Sequence, residues 1–331
     1  MIYPSVLLVS PSYLLTQKSP ILKNALKYIT LCVCITFLTN VRAEGADTVK
    51  IAEHLTFITK SDTARNYINV ERLDEVAEYI FNEFSQYADT TYYQSFRLGT
   101  KGVHDYKNVV CVFGEENQST LVVGAHYDVF GDSEGADDNA SGVVGLLELA
   151  RLLKGKKLNH RIEIVAYTLE EPPFFRTKLM GSYVHANSLV QNNVDVYGMV
   201  CLEMIGFFSD HKKSQDYPIG ALSCIYGNKG DYITLVNKFS KGKFSRKFSS
   251  LFKKQDLIRT KKFTGPKRLS GIDFSDHLNY WKLGFHAIMI TDTAFYRNKN
   301  YHQETDTMES LDLDRMRLII DSVLNTLINL K

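Results

Sequence analysis

The sequence predicts an α/β layer fold: a single-domain, three-layer α/β/α arrangement around a mixed, mostly parallel central sheet. Short apolar runs with strand character alternate with amphipathic stretches of helical period, the pattern of a sheet covered by helices. No internal repeat or low-complexity linker divides the 331 residues, so the second half reads as a continuation of the same domain. Hydrophobic residues make up 44% and charged residues 23%, enough apolar material for one large core.

Taken in order, Val70 to Tyr87 places Leu73, Val76, Ile80 and Phe84 at helical spacing. Asn108 to Phe113 and Thr120 to Ala125 read as two strands separated by the turn at Gly114. Gly142 to Lys154 is a helix with Val143, Leu146, Leu147, Ala150 and Leu153 on one face, and Ser141 or Asn139 is placed to cap it. Arg161 to Thr168 alternates as a strand, and Met180 to Leu189 is helical. Tyr197 to Glu203 and Ala287 to Thr291 are buried strands, and Leu311 to Leu330 closes the chain as an amphipathic helix.

The N-terminus has a different layout. Lys23 and Lys27 precede an apolar run from Tyr28 to Thr39, and Val41-Arg42-Ala43 follows. That is the pattern of a secretory signal peptide with cleavage after Ala43, the run being shorter than the ~20 apolar residues of a membrane span. A retained anchor is the alternative. Residues 1–43 are therefore read as an N-terminal extension and signal peptide, and 44–331 as the folded domain. Residues 1–21 form an unusually long extension, which a misassigned start at Leu22 would explain. Secretion or residence in a periplasm is the expected localisation, with no stable membrane anchor once the signal is removed.

Cys32 and Cys34 fall in the signal. Cys111, Cys201 and Cys224 form no disulfide framework and no C-x-x-C pair, so all three read as buried small hydrophobes. The net charge of +2 implies no particular partner. Lys229 to Arg268 is locally basic, opposed only by Asp231 and Asp256. It reads as a solvated helix face and loop, because no nucleic-acid module accompanies it.

Four polar clusters stand at the ends of predicted strands, where sites form in α/β sheets. His126-Tyr127-Asp128 ends one strand. Residues two apart point the same way, so Asp128 is placed to fix the tautomer of His126. Gly135 to Gly142 carries Asp137 and Asp138 in a Gly-rich loop that opens a helix, and carboxylates crowded together favour a cation between them. Glu170-Glu171-Pro172-Pro173 ends a strand with two acids: one can bind metal while the other takes a proton. Glu203 follows a buried strand and needs a partner, and His302 lies between a strand and the last helix. Each cluster alone has an ordinary reading as a surface pair, a capping loop or an acidic turn. Together they supply two histidines and several carboxylates from both halves of the chain, donors that suit zinc.

These segments, in this order, resemble peptidase family twenty-eight, the secreted bacterial dizinc aminopeptidases of leucyl aminopeptidase and aminopeptidase Y type. The most specific stretches are Gly124-Ala-His-Tyr-Asp128, Gly135-Ala-Asp-Asp-Asn-Ala-Ser-Gly142, Leu202-Glu-Met-Ile-Gly206, Phe274-Ser-Asp-His277 and Tyr301-His-Gln-Glu-Thr-Asp306. The resemblance covers roughly Leu55 to the C-terminus and implies the zinc-exopeptidase, phosphorylase/hydrolase-like architecture. It further implies two zinc ions. His126 and Glu203 would hold one, Glu171 and His302 the other, and Asp137 would bridge both with a cis peptide to Asp138. Glu170 would be general base and acid. Asp128 would orient His126, Asp276 would support the site from behind, and Tyr301 would polarise the substrate carbonyl. Glu203 stands where the family often has Asp. The implied substrate is a peptide with a free N-terminus, with no nucleic acid involved. A single-zinc glutaminyl cyclase, a carboxypeptidase and a non-catalytic receptor-like domain share the fold and are the competing expectations.

Overall fold

A computed structural model describes residues 45–331 except 100–103, 240, 241 and 268. The expected signal and extension lie outside the described residues. In chain order the elements are α1 (Thr48–Thr59), α2 (Val70–Ser85), β1 (Thr90–Arg97), β2 (Asp105–Phe113), β3 (Thr120–His126), α3 (Gly142–Leu153), β4 (Arg161–Tyr167), α4 (Gly181–Gln191), β5 (Val196–Glu203), α5 (Leu222–Tyr226), β6 (Ile233–Lys238), α6 (Gly242–Gln255), β7 (Thr260–Gly265), α7 (His277–Lys282), β8 (Ala287–Thr291) and α8 (Leu313–Asn329).

One eight-stranded sheet, ordered β1-β2-β4-β3-β5-β8-β6-β7, organises the fold. Its centre, β4-β3-β5-β8, is parallel, while β1, β2 and β6 pair antiparallel with their inner neighbours. The alternation of side chains along each strand builds two cores. Val123, Ile164, Leu202 and Ile290 face α1, α2, α3, α6 and α8; Val122, Val165, Cys201 and Met289 face α4 and α7. The sheet is thus the middle of three layers. The central strands are buried on both faces, which is why they read as continuous apolar runs in sequence.

The sequence expectation missed six elements, the short helices α5 and α7 among them. α1 went unassigned, and β1 is an edge strand with a mostly exposed polar pattern. β6 and β7 lie inside the basic stretch read as helix face and loop. That reading holds only for α6, which buries Phe244, Phe248 and Phe252 and turns its lysines outward. β7 is an edge strand, and edge strands carry lysines because their outer side faces water. Cys111 and Cys201 are buried as expected, but Cys224, on the short α5, is exposed. No helix among the described residues is long and apolar enough to cross a membrane.

Candidate metal centre

The carboxyl ends of the four parallel strands converge on one cleft. β3 ends in His126, β5 in Glu203, and β4 runs into Glu170 and Glu171, while the segment after β8 returns to His302. The cleft has about 480 Å³ of open space, and all five of these residues except His126 line it, with Asp138, Tyr301 and Phe175.

Asp138 lies between the two histidines. Its Oδ1 is 3.4 Å from His126 Nε2 and its Oδ2 is 3.2 Å from His302 Nε2. Glu203 Oε2 stands 3.5 Å from His126 Nε2, and Glu171 Oε2 3.2 Å from His302 Nε2. The donors therefore form two sets that share one carboxylate: His126, Glu203 and Asp138, then His302, Glu171 and Asp138. His126, Asp138 and Glu171 alone bring ligand atoms within 4.8 Å of one another. Glu170 Oε2 is 4.0 Å from His126 Nε2 and belongs to neither set.

The bridging position corrects the sequence expectation, which gave it to Asp137. Asp137 is buried, and both of its oxygens are already used: Oδ1 accepts from the Gly206 amide at 2.9 Å and Oδ2 from Asn298 Nδ2 at 2.8 Å. Burial beside Asp137 also holds the Asp292 carboxyl well above its ordinary range. Asp137 thus fastens the loop to its neighbours, while Asp138 faces the cleft. The cis peptide likewise falls one bond later than expected, between Asp138 and Asn139.

The loop is held from several sides. Gly135 has φ +54°, and a Cβ there would meet the Asp138 carbonyl and Val129 at 2.3 Å. The buried Arg65 donates from Nε to the Tyr127 carbonyl at 2.8 Å and from Nη2 to Gly135 at 2.7 Å, with a further bond to Glu134. Asp306 accepts the amides of Asp137 and Asp138 at 3.1 and 3.0 Å. Asn139 caps α3 by accepting the Gly142 amide at 3.2 Å, while Ser141 bonds the Asp137 carbonyl instead.

Asp128 meets His126 through its main chain more closely than through its side chain. Its carboxylate is 3.6 Å from His126 Nδ1, and the closer contact to that nitrogen, at 3.1 Å, is the Asp128 main-chain carbonyl. The carboxylate oxygens accept the amides of Glu170 and Glu171, each at 3.1 Å, which aims both glutamates into the cleft. Behind Glu203, Ser275 donates to Oε2 at 2.7 Å, and Asn139 Nδ2 approaches the same oxygen at 3.3 Å. Asp276 is fully buried next to Ser275, and neither of its oxygens finds a hydrogen-bond partner among the described residues; burial raises its carboxyl to about 7. His302 is sandwiched between the rings of Phe130 and Tyr301, at centroid distances of 4.2 and 3.8 Å. Burial and the nearby carboxylates push the Tyr301 phenol up.

Arg65 and Asn298 carry the site without having been singled out in the sequence, while Asn139 was read only as a helix cap and Ser275 and Asp306 only as members of motif stretches. Their partners are mostly main-chain atoms and distant carboxylates, which residue type does not encode.

The donor chemistry fits a divalent metal. Glu171 Oε1 and His302 Nε2 are buried and make no hydrogen bond among the described residues. Burial, followed by repulsion among the clustered acids, raises Glu171 to about 7 and Glu170 well above the carboxylate range. Such crowding is costly unless a cation is shared, and imidazole with carboxylate is a donor set zinc accepts.

A family model described as peptidase family M28 matches residues 108–327. The chain belongs to this family. It is therefore a peptidase, a metal-dependent hydrolase. A relative from Escherichia coli (strain K12), described as uncharacterized protein YfbL, is 42% identical over 83% of this chain and 86% of its own length. A probable leucine aminopeptidase of Trichophyton verrucosum is 27% identical over 63% of this chain and 53% of its own. The chain thus spans about half the length of that relative. Among solved structures, the Legionella pneumophila LapA aminopeptidase superposes with a TM-score of 0.66 at 20% identity, over 86% of this chain and 71% of that one. Fimbriiglobus ruber glutaminyl cyclase gives 0.66 at 16%, over 88% and 98%. At these identities the structural likenesses establish the shared fold.

Proposed function

We propose that the M28 chain is a zinc aminopeptidase that binds two zinc ions and removes the N-terminal residue from peptides. The observation that carries this reading is the pair of donor sets sharing Asp138. His126 and Glu203 would hold one ion and His302 and Glu171 the other, with Asp138 available to both sets. Asp128, Asp276 and Asp137 support the cleft from behind, Asp137 by fastening the loop rather than by bridging. When bound, zinc would lower the pKa of a water towards neutrality and polarise a carbonyl.

The remaining work falls to side chains. Glu170, buried in the cleft and outside both donor sets, takes the proton of the attacking water and passes it to the leaving amine. Tyr301 lines the same cleft and offers its phenol to the developing oxyanion. The carboxylates attract the substrate's free amine, which supports exopeptidase action. The basic, apolar and small-residue order before Ala43 supports secretion, with residues 44–331 as the peptidase domain.

A glutaminyl cyclase, with one zinc, is the second reading, since an enzyme of that name shares the fold. Metal content separates the two. The expected result is near two zinc ions per chain and chelator-sensitive cleavage of aminoacyl anilides. One ion per chain, with cyclisation of N-terminal glutamine and no anilide cleavage, would overturn the aminopeptidase reading.

A further inference from the structure

Beside the metal cleft lies a second space, of about 700 Å³ counted to its open mouth, and the two share Glu203 and Phe274 in their walls. The ladder registers explain its floor. Glu203 on β5 pairs with Thr291 on β8, Thr291 with Thr234 on β6, and Thr234 with Lys261 on β7. One row of side chains therefore crosses four strands on a single face of the sheet. With strands ~4.8 Å apart, the Thr234 backbone stands about 10 Å from that of Glu203, and Lys261 about 15 Å. The next row on the same face is Met289, Val236 and Phe263, all lining the pocket. Tyr226, Ile272 and Phe295 add apolar wall.

Two polar residues of this lining, Thr234 and Lys261, bear on what it takes. Thr234 is only 5% exposed, and its Oγ1 has no hydrogen-bond partner among the described residues. A buried hydroxyl left so is unfavourable until something pairs with it. Lys261 donates to the Tyr226 carbonyl and holds its ammonium 3.4 Å from the Tyr232 ring centroid. An ammonium has three donor protons, so Lys261 can also serve an acceptor in the slot. The pocket's one other acid besides Glu203, Asp216, is engaged by Lys299 at 2.7 Å.

We propose that this pocket takes the side chain of the substrate's N-terminal residue, and that Thr234 and Lys261 select a large aromatic side chain with a hydroxyl tip, a tyrosyl residue. The assignment rests on the aminopeptidase reading. A free amine drawn to the cleft's carboxylates places its residue against Glu203, and the pocket is the space next to that residue. The ring lies over Met289, Val236 and Phe263, and its hydroxyl pairs with the orphaned Thr234 Oγ1 and with Lys261. Phenylalanyl residues fill the slot but leave Thr234 unpaired. Arginyl and lysyl residues meet the like charge of Lys261, reinforced by Arg297, whose guanidinium lies 4.8 Å from the Tyr232 ring centroid.

The test compares kcat/KM of the zinc-loaded full chain on tyrosyl, phenylalanyl, alanyl and arginyl p-nitroanilides. One net hydrogen bond corresponds to a tyrosyl preference over phenylalanyl of about fivefold; arginyl should be slowest. Thr234→Val should bring the tyrosyl to phenylalanyl ratio near one without lowering Tm, since the hydroxyl it removes is unpaired in the fold. Met289→Trp should lower both aromatic substrates relative to alanyl. Alanyl cleavage with no tyrosyl preference, or a preference that survives Thr234→Val, overturns the pocket assignment and leaves the aminopeptidase reading standing. If no anilide is cleaved, the aminopeptidase reading fails, and calorimetry decides the pocket. Tighter binding of L-tyrosinamide than L-phenylalaninamide, lost in Thr234→Val, supports the assignment; equal or no binding overturns it.

Discussion

The Asp306 carboxylate accepts the main-chain amide of Asp138 at 3.0 Å, so a residue four positions after His302 sets the direction of the acid between the two histidines. The second Asp306 oxygen takes the Asp137 amide at 3.1 Å. Asp306→Asn puts an NH2 group against one of these two amides. Outer-shell losses of this kind typically cost 10–100-fold in metal affinity. We expect a drop of about that size in zinc affinity, read by competition with a chromophoric chelator. Unchanged affinity would show that the loop holds its direction without Asp306.

Asp137 and Asp138 should separate cleanly by mutation. Asp138→Asn weakens both donor sets, so zinc content should fall below one ion per chain with activity lost. Asp137→Asn keeps an acceptor for Gly206 and disturbs the bond from Asn298, so it should lower Tm while retaining more metal. Equal zinc loss in the two variants would contradict the assignment of Asp138 as the shared ligand.

Glu170 belongs to neither donor set, and its separation from them predicts a split between binding and chemistry. Glu170→Gln should keep the metal content of the parent and lower kcat by about 10²–10⁴-fold, the usual contribution of a general base. A fully active variant would remove Glu170 from the proposed proton transfer.

His277 gives the fold a pH dependence away from the metal. It is fully buried, donates from Nε2 to the Ile272 carbonyl, 2.7 Å away, and packs edge-on to Trp281. Burial lowers its pKa from 6.5 to about 4. The folded state therefore prefers the neutral ring. This contribution is fully present above pH 6.5 and is lost as pH falls towards 4, by about 2–3 kcal/mol at pH 4.5. Urea unfolding at pH 7 and pH 4.5 should show a larger loss for the parent than for His277→Gln, and parallel losses would exclude His277 as the cause.

Gly124 faces Tyr167 across β3 and β4. A Cβ at 124 would lie 2.2 Å from the ring, and the Tyr167 hydroxyl is tied to that of Tyr280 at 2.7 Å. Gly124→Ala must displace a buried, hydrogen-bonded ring, an overpacking cost of roughly 1–3 kcal/mol. The expected outcome is a lower urea midpoint with the slope unchanged.

Most of the sheet was legible before the structure, because β3, β4, β5 and β8 are buried on both faces and write that burial as apolar runs. The helices that cover them carry the helical period for the same reason. β1 and β7 were illegible because edge strands answer to solvent on one side. The candidate site was legible as chemistry: His126, Glu171, Glu203 and His302 stand at strand ends or in the loops that follow them. Which of two adjacent aspartates faces the histidines was not. Asp137 and Asp138 are the same residue type in the same loop, and both are buried. Only the tertiary structure separates them, because Gly206, Asn298 and Asp306 are distant in sequence and their contacts turn one side chain away from the cleft and the other into it. The sequence by itself determined the layers and the donor types; the pairing of remote strands and loops decided which aspartate lies between the histidines and the pocket row from Glu203 to Lys261, since strand register is a relation between segments and no single segment encodes it.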